Sequence, residues 1–286
     1  MKNFKDKVAT ISGAGSGIGQ QLAILLAQQG CHLSLADVNE QGLAETLERM
    51  KASGVNVTIQ KVNVAKLEEV RHWAEQTVHD HGGVNMIFNN AGVALASTVE
   101  GESYEELEWI VNINFWGVVY GTKEFLPLIK LTGDGHIINI SSLFGLMAQP
   151  TQSAYNATKF AVRGFTESLR QELDLENSGV SALSVHPGGI RTNIANSARS
   201  NSSLKTLGVD PERATRSFNK LLRCPPEDAA RQILEAVQKN KRRLLIGNDA
   251  KALDLIQRIL PTHYQKVIEL ATTIRKKKGT GQKKIN

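Results

Sequence analysis

The chain has 286 residues, 41% of them hydrophobic and 22% charged, an ordinary globular balance with length enough for one large α/β domain. Two cysteines, Cys31 and Cys224, exclude a disulfide framework and suit a reducing cytoplasm, and no apolar stretch reaches the ~18 residues of a membrane span. The net charge of +6 resides in the tail at 275–286, RKKKGTGQKKIN; without its six basic residues, 28 basic face 28 acidic, which speaks against a nucleic-acid-binding face on the body.

The charged start at residues 1–8 lacks the apolar core of a signal peptide, so a soluble cytoplasmic protein is expected. Short β-branched or apolar runs at 7–12, 31–36, 56–62, 84–89, 136–141, 180–185 and 243–247 predict seven strands separated by stretches of helical period. That alternation specifies an α/β fold: a doubly wound, Rossmann-type seven-stranded parallel sheet with helices on both faces, in a single domain. The domain is expected over 1–250, with a substrate loop at about 193–223, a helical extension at 251–274 and a basic, disordered tail at 275–286.

After the first strand comes Ser12-Gly13-Ala14-Gly15-Ser16-Gly17-Ile18-Gly19, followed by Leu22, Leu25 and Leu26 at helical spacing and a closing Gly30. Strand, glycine turn and helix together form a site where backbone N–H groups and a helix N-terminus meet a pyrophosphate, with Gly13, Ser16, Gly17, Ile18 and Gly19 as its contacts. At the end of the second strand, Asp37 can accept bonds from ribose hydroxyls and repel a 2′-phosphate, while Ala14, Gly15, Ser16 and Val38 bring no cation to offset it. NAD is therefore expected over NADP, although a lone Asp also serves as an Asx-turn or helix cap. His79 and His81 flank Asp80 without HExxH or a cysteine pair, and are read as solvated surface; no metal is expected.

Further along, Tyr155 and Lys159 stand four apart on a helix predicted over 155–176, with Ser153 as its N-cap and Phe160, Phe165, Leu169 and Leu173 as its apolar positions. An ammonium beside a phenol favours the phenolate and makes it a usable acid/base. Ser142, thirteen residues earlier at a strand end, can hydrogen-bond a carbonyl oxygen. The few charges in the first half of the 155–176 helix suggest a subunit interface, so a homodimer or homotetramer is expected.

With Asn89-Asn90-Ala91-Gly92 after the fourth strand, Asn114 in a helix, and Pro187-Gly188 with Thr192 after the sixth, five motifs fall in order over roughly residues 5–250. In them the chain resembles the short-chain dehydrogenase/reductase family, with Ser12 where the family's turn carries Thr. The resemblance implies a catalytic set of Asn114, Ser142, Tyr155 and Lys159, in which Asn114 holds a proton-relay water. It implies that Asn63 and Val64 lie against adenine, although the family often has Asp where Asn63 stands. Asn89 and Ala91 would line the ribose, Ile190 and Thr192 would fix the nicotinamide, and Tyr155, Lys159, Gly92, Pro187 and Gly188 would add cofactor contacts.

The segment from Leu143 to Pro150, with Phe144, Leu146, Met147 and Gln149 as substrate contacts, and Val93 to Leu95 are apolar save for one amide. An uncharged, hydrophobic secondary alcohol or ketone is the expected small-molecule substrate. Arg199 and Lys205 leave open a 3-oxoacyl thioester reductase. A non-catalytic cofactor-binding protein, or a peripheral membrane protein making a weak anionic-surface contact through Leu253, Ile256, Leu260 and the basic tail, are the alternatives outside that class.

Overall fold

The computed structural model describes residues 1–210, 216, 219–220 and 222–270, so the reading of the tail at 275–286 falls outside the described residues. In chain order the strands are β1 (Val8–Ser12), β2 (His32–Asp37), β3 (Val57–Lys61), β4 (Met86–Asn89), β5 (Leu95–Ala96), β6 (Gly135–Ile140), β7 (Val180–Pro187), β8 (Arg199–Ser200) and β9 (Arg243–Ile246). The helices are α1 (Gly17–Gln28), α2 (Glu40–Glu48), α3 (Leu67–His81), α4 (Tyr104–Val111), α5 (Gly117–Lys130), α6 (Ser153–Glu176), α7 (Pro226–Gln238) and α8 (Asn248–Ile259).

All seven strands expected from the sequence form one sheet in the order β3-β2-β1-β4-β6-β7-β9, each neighbour parallel to the next. Parallel strands need cover on both faces, and every residue of β1, β6 and β7 is buried, whereas edge strand β3 has none fully buried. On one face, Leu22 and Leu26 of α1 meet Ile233, Leu234 and Val237 of α7 over Leu33, Phe88 and Leu183. On the other, Trp73 of α3, Phe125 and Ile129 of α5, and Leu169 and Leu173 of α6 cover Ile87, Ile137 and Ala182. The strand order reverses between β1 and β4, which opens a crevice above their carboxyl ends.

Three local readings are corrected. Ser153 is the first residue of α6 rather than its cap; Gln152 precedes it without a side-chain bond, and the Ser153 hydroxyl donates to Glu102 instead. Phe160 stands nine residues from Leu169, half a turn out of phase, and so points outward while Leu169 points in. His81 is not simply solvated: its Nε2 lies 3.0 Å from the Thr58 hydroxyl and burial holds its pKa below the usual value, while His79 pairs with Asp80 at 2.8 Å. Among the described residues no helix is long and apolar enough to cross a membrane.

Candidate active site

The turn after β1 is packed backbone against backbone. Gly13 adopts φ +66°, where a Cβ would lie 2.9 Å from the Ala91 Cα, and a Cβ on Gly19 would lie 2.2 Å from the Gly13 carbonyl oxygen. Asn90 stitches this turn to the end of β4: its Nδ2 donates to the carbonyls of Ser12 (3.0 Å) and Gly13 (3.1 Å). In return, the Ser12 hydroxyl accepts from the backbone N–H groups of Asn90 and Ala91, at 3.0 and 3.1 Å. Ser16 precedes α1 in an extended conformation with no side-chain cap, and Ile18 is buried beside Ala14. A turn of this shape at a helix N-terminus fits the pyrophosphate of a dinucleotide.

Two further elements reach over the turn. Asp37 accepts from the N–H of Gly15 through Oδ2 and of Asn39 through Oδ1, both at 2.9 Å, so one carboxylate makes an Asx-turn and latches the glycine turn. From β7, the Thr192 methyl approaches to 3.1 Å of where a Gly17 Cβ would stand, and Ile190 is buried with Ala14 and Ile18. The loop between them is fixed by Asp249 of α8, whose Oδ2 accepts from Gly189 N–H at 2.7 Å and whose carboxylate packs on Gly188 next to Pro187.

Three expected cofactor residues have partners within the protein. The Asn89 amide is buried in the sheet, donating to Asn139 (2.8 Å) and Thr122 (3.2 Å), so Asn90 and Ala91, not the Asn89 side chain, border the turn. Val64 packs into the core against Gly117. Asn63 closes its own turn by accepting from Ala65 N–H at 3.1 Å.

The remaining expected residues converge at the mouth of the crevice. Tyr155 lies in an apolar cluster with Leu95, Ile110 and Ala154, with the Ser142 side chain near enough to favour its phenolate form. The Lys159 Nζ sits 5.7 Å from the Tyr155 ring centre and donates to the Ile140 carbonyl at 3.0 Å. Between α4 and α5 a π-helical turn, Asn112–Trp116, brings the buried Asn114 to Val93, where its Oδ1 accepts from N–H at 2.8 Å and its Nδ2 donates to the carbonyl at 2.9 Å. A Cβ on Gly92 would be 3.3 Å from Asn114 Oδ1 and 3.4 Å from Lys159 Nζ, so the two side chains flank that glycine.

The electrostatics correct one expectation. Burial raises the Tyr155 phenol above its ordinary value, against the opposing influence of the nearby Ser142 side chain, and lowers the Lys159 ammonium to about 8. In the protein alone, desolvation outweighs the expected stabilisation of phenolate by Lys159, because Nζ is aimed at a backbone carbonyl rather than at the phenol oxygen.

The substrate contacts divide. Phe144 lies edge-on to Tyr155, with ring centres 6.4 Å apart. Leu146 is wholly buried, and Met147 faces away into a cluster with Leu143, Ala250 and Tyr264, so neither lines the cleft. Gln149 is half-buried, and its carbonyl accepts from Asn156. Sequence reasoning missed Leu107, Trp109 and Ile110 of α4, which pack beside Val93, Ala94 and Tyr155, and the stacking of the expected Arg199, whose guanidinium lies 3.8 Å from the Trp109 ring centre. It gave Asn90 no role within its motif and missed Asp249 and His186; the last lies next to Pro187, bonded to the Ser142 carbonyl.

Comparison with known proteins gives concordant results. The family model described as short chain dehydrogenase matches residues 7–203. A Mycobacterium tuberculosis protein bearing the name oxidoreductase SadH is 44% identical over 269 residues, covering 94% of this chain and 96% of that one. The crystal structure of a short-chain dehydrogenase/reductase from Burkholderia phymatum in complex with NAD superposes with TM-score 0.83 at 28% identity, covering 90% of this chain and 95% of the other. Levodione reductase does so with TM-score 0.76 at 28% identity, covering 87% and 100%.

Proposed function

This chain belongs to the short-chain dehydrogenase family, and we propose that it moves hydride between NAD(H) and a secondary alcohol or ketone that is uncharged and apolar around the reacting carbon. The observation that carries this reading is Tyr155: a phenol buried among apolar side chains, facing Ser142, with the Lys159 ammonium beside its ring. Residues 13–19 would hold the pyrophosphate, Asp37 the ribose, and Ile190 with Thr192 the nicotinamide, which when bound supplies the hydride acceptor or donor. Tyr155 takes the alcohol proton in oxidation and returns it in reduction, while the Ser142 hydroxyl donates to the reacting oxygen. Asn114 fixes the backbone at Val93 beside Lys159, the path along which the proton would leave.

Asp37 supports NAD over NADP, since a 2′-phosphate would meet a carboxylate already anchored at Gly15 with no cation in the adjoining turn. Val93, Leu107 and Phe144, partly buried around Tyr155, support an apolar substrate. Exposed Trp116 and Phe160 support a homo-oligomer, which sedimentation would count. The decisive test is Tyr155→Phe, assayed by NADH absorbance over secondary alcohols and ketones of graded chain length. It should keep fold and NAD(H) binding and lose about 1,000-fold in turnover, since one hydroxyl and little packing are removed. Substantial turnover retained with every substrate would move the acid/base role elsewhere.

One observation favours a second reading: the Arg199 guanidinium on Trp109, beside the same cluster, suits an acyl substrate with an anionic end such as a 3-oxoacyl thioester. Arg199→Gln would then raise KM for charged substrates and leave neutral ketones unchanged.

A further inference from the structure

The imidazole of His186, one residue before Pro187 on β7, is wholly buried beside Ser142. Its Nδ1 lies 2.9 Å from the Ser142 carbonyl oxygen and its Nε2 lies 2.9 Å from the Ser184 hydroxyl. A carbonyl oxygen only accepts, so Nδ1 must carry a proton. Burial holds the ring's pKa down to about 4, so at neutral pH this is its only proton, and Nε2 accepts from the Ser184 hydroxyl. Two neighbours thus dictate one tautomer and one ring orientation.

The consequence falls on Ser142. This residue is extended, with φ −164° and ψ 166°, where the chain leaves β6 for the short helical turn at Leu143–Gly145. Its Oγ accepts from Phe144 N–H at 3.1 Å, which occupies one lone pair and leaves the hydroxyl proton for Tyr155 or the reacting oxygen. The Ser142 carbonyl is the other end of the same residue; with that end held by a rigid ring on the neighbouring strand, rotation about its backbone, and with it the aim of Oγ, is restricted.

We propose that His186 is a positioning residue for this reaction, acting through Ser142: its Nδ1–H grips the Ser142 carbonyl and so aims the serine hydroxyl at the reacting oxygen. The proposal rests on the reading of Ser142 and Tyr155 given above.

Side-chain geometry supplies the test. An Asn amide places a donor where Nδ1 stands, one bond beyond Cγ, whereas Gln extends its amide to the position of Nε2. His186→Asn should therefore keep kcat within about threefold of wild type, and His186→Gln should lose about thirtyfold in kcat with KM and NAD(H) affinity little changed, a transition-state effect of about 2 kcal/mol. The same Gln substitution in a Ser142→Ala background should cost almost nothing, because the group it aims is gone. Equal losses in Asn and Gln, or a Gln loss undiminished in the Ser142→Ala background, would overturn the proposal and leave His186 a packing residue. Nitrogen-15 NMR of wild-type protein, which needs no variant to fold, should show the Nδ1–H tautomer at neutral pH; the Nε2–H tautomer would overturn the proposal outright. If Ser142→Ala alone costs no turnover, the reading of the site itself fails, an outcome separate from any His186 result.

Discussion

The two flanks of the crevice are assembled by different means. On the cofactor flank, residues 13–19 are fixed by backbone packing that only glycine permits, and the tethers Asn90 and Asp37 sit at strand ends next to that turn. On the substrate flank, the cleft is assembled from segments about a hundred residues apart: Thr98 N–H meets the Ser203 hydroxyl, Asn201 meets the Gly101 carbonyl, Ala148 N–H meets the Tyr264 hydroxyl, and β5 pairs with β8. The first flank tolerates few sequences. The second can change its lining without disturbing the turn, so that one fold can serve different substrates.

If the contrast is right, the largest loss should come from the smallest addition. In Gly19→Ala the new methyl would stand 2.2 Å from the Gly13 oxygen, backbone that cannot yield cheaply. The expected outcome is at least about 100-fold weaker NAD(H) binding and a stability loss of about 2 kcal/mol, read by fluorescence titration and urea unfolding. As a counterpart, Leu107→Ala in the cleft should raise KM for the alcohol and leave NAD(H) affinity where it was. Equal effects of the two variants on cofactor binding would erase the distinction.

Lys159, beside Tyr155 and Gly92, is held at a thermodynamic cost. Its folded pKa of about 8 lies below the ordinary 10.5, so the penalty for the buried charge is full below pH 8, shrinks from 8 to 10.5, and is absent above. Lys159→Met should therefore be more stable than wild type at pH 7, by about 2 kcal/mol after subtracting the lost bond to Ile140, with the gain vanishing near pH 10.5. Turnover should be lost in the same variant. Urea midpoints at pH 7 and 10.5 decide the first point; an unchanged or lowered midpoint at pH 7 would mean that the lysine is not held at such a cost.

Much of the cofactor flank was legible because its constraints are local. The glycine spacing, Asp37 at the end of β2, and seven apolar runs each announce a backbone requirement within a few residues. Tyr155, Lys159, Ser142 and Asn114 were found through spacing and resemblance, and the structure brings them together. What the sequence concealed is long-range. Nothing near Met147 says that it turns toward Tyr264, nothing near Asn89 says that its amide is spent on Asn139, and two-residue strands such as β5 and β8 have no period to read. The sign of the Tyr155 shift was missed for a related reason, since i to i+4 spacing reports proximity but neither burial nor where Nζ is aimed.

Next in size is the cofactor preference. Asp37→Ala removes the carboxylate that would repel a 2′-phosphate and also the acceptor for Gly15 N–H, so NADH binding should weaken while NADPH binding gains relative to it. The expected narrowing is about thirtyfold, or ~2 kcal/mol, read by titrating both cofactors against wild type and variant. Wild-type protein that binds NADPH as tightly as NADH would reject the assignment before any variant is made.

The smallest effect tests the far side of the substrate flank. Tyr264, beyond α8, buries its ring against Leu143 and Met147, and its hydroxyl accepts from Ala148 N–H at 3.2 Å. Those residues follow Ser142 directly, so the C-terminal segment braces the stretch that carries Phe144 past Tyr155. Tyr264→Phe keeps the ring and removes one acceptor, at a cost of about 1 kcal/mol in stability. Because the brace acts on the cleft wall and not on the turn after β1, KM for an apolar alcohol should rise by roughly two- to fivefold, less than 1 kcal/mol, while NADH affinity stays constant. Tyr264→Ala, which also empties a packed site, should give the same pattern enlarged. A fall in NADH affinity parallel to the rise in KM would show that the two flanks share one support, and that the separation between them stops at the surface of the crevice.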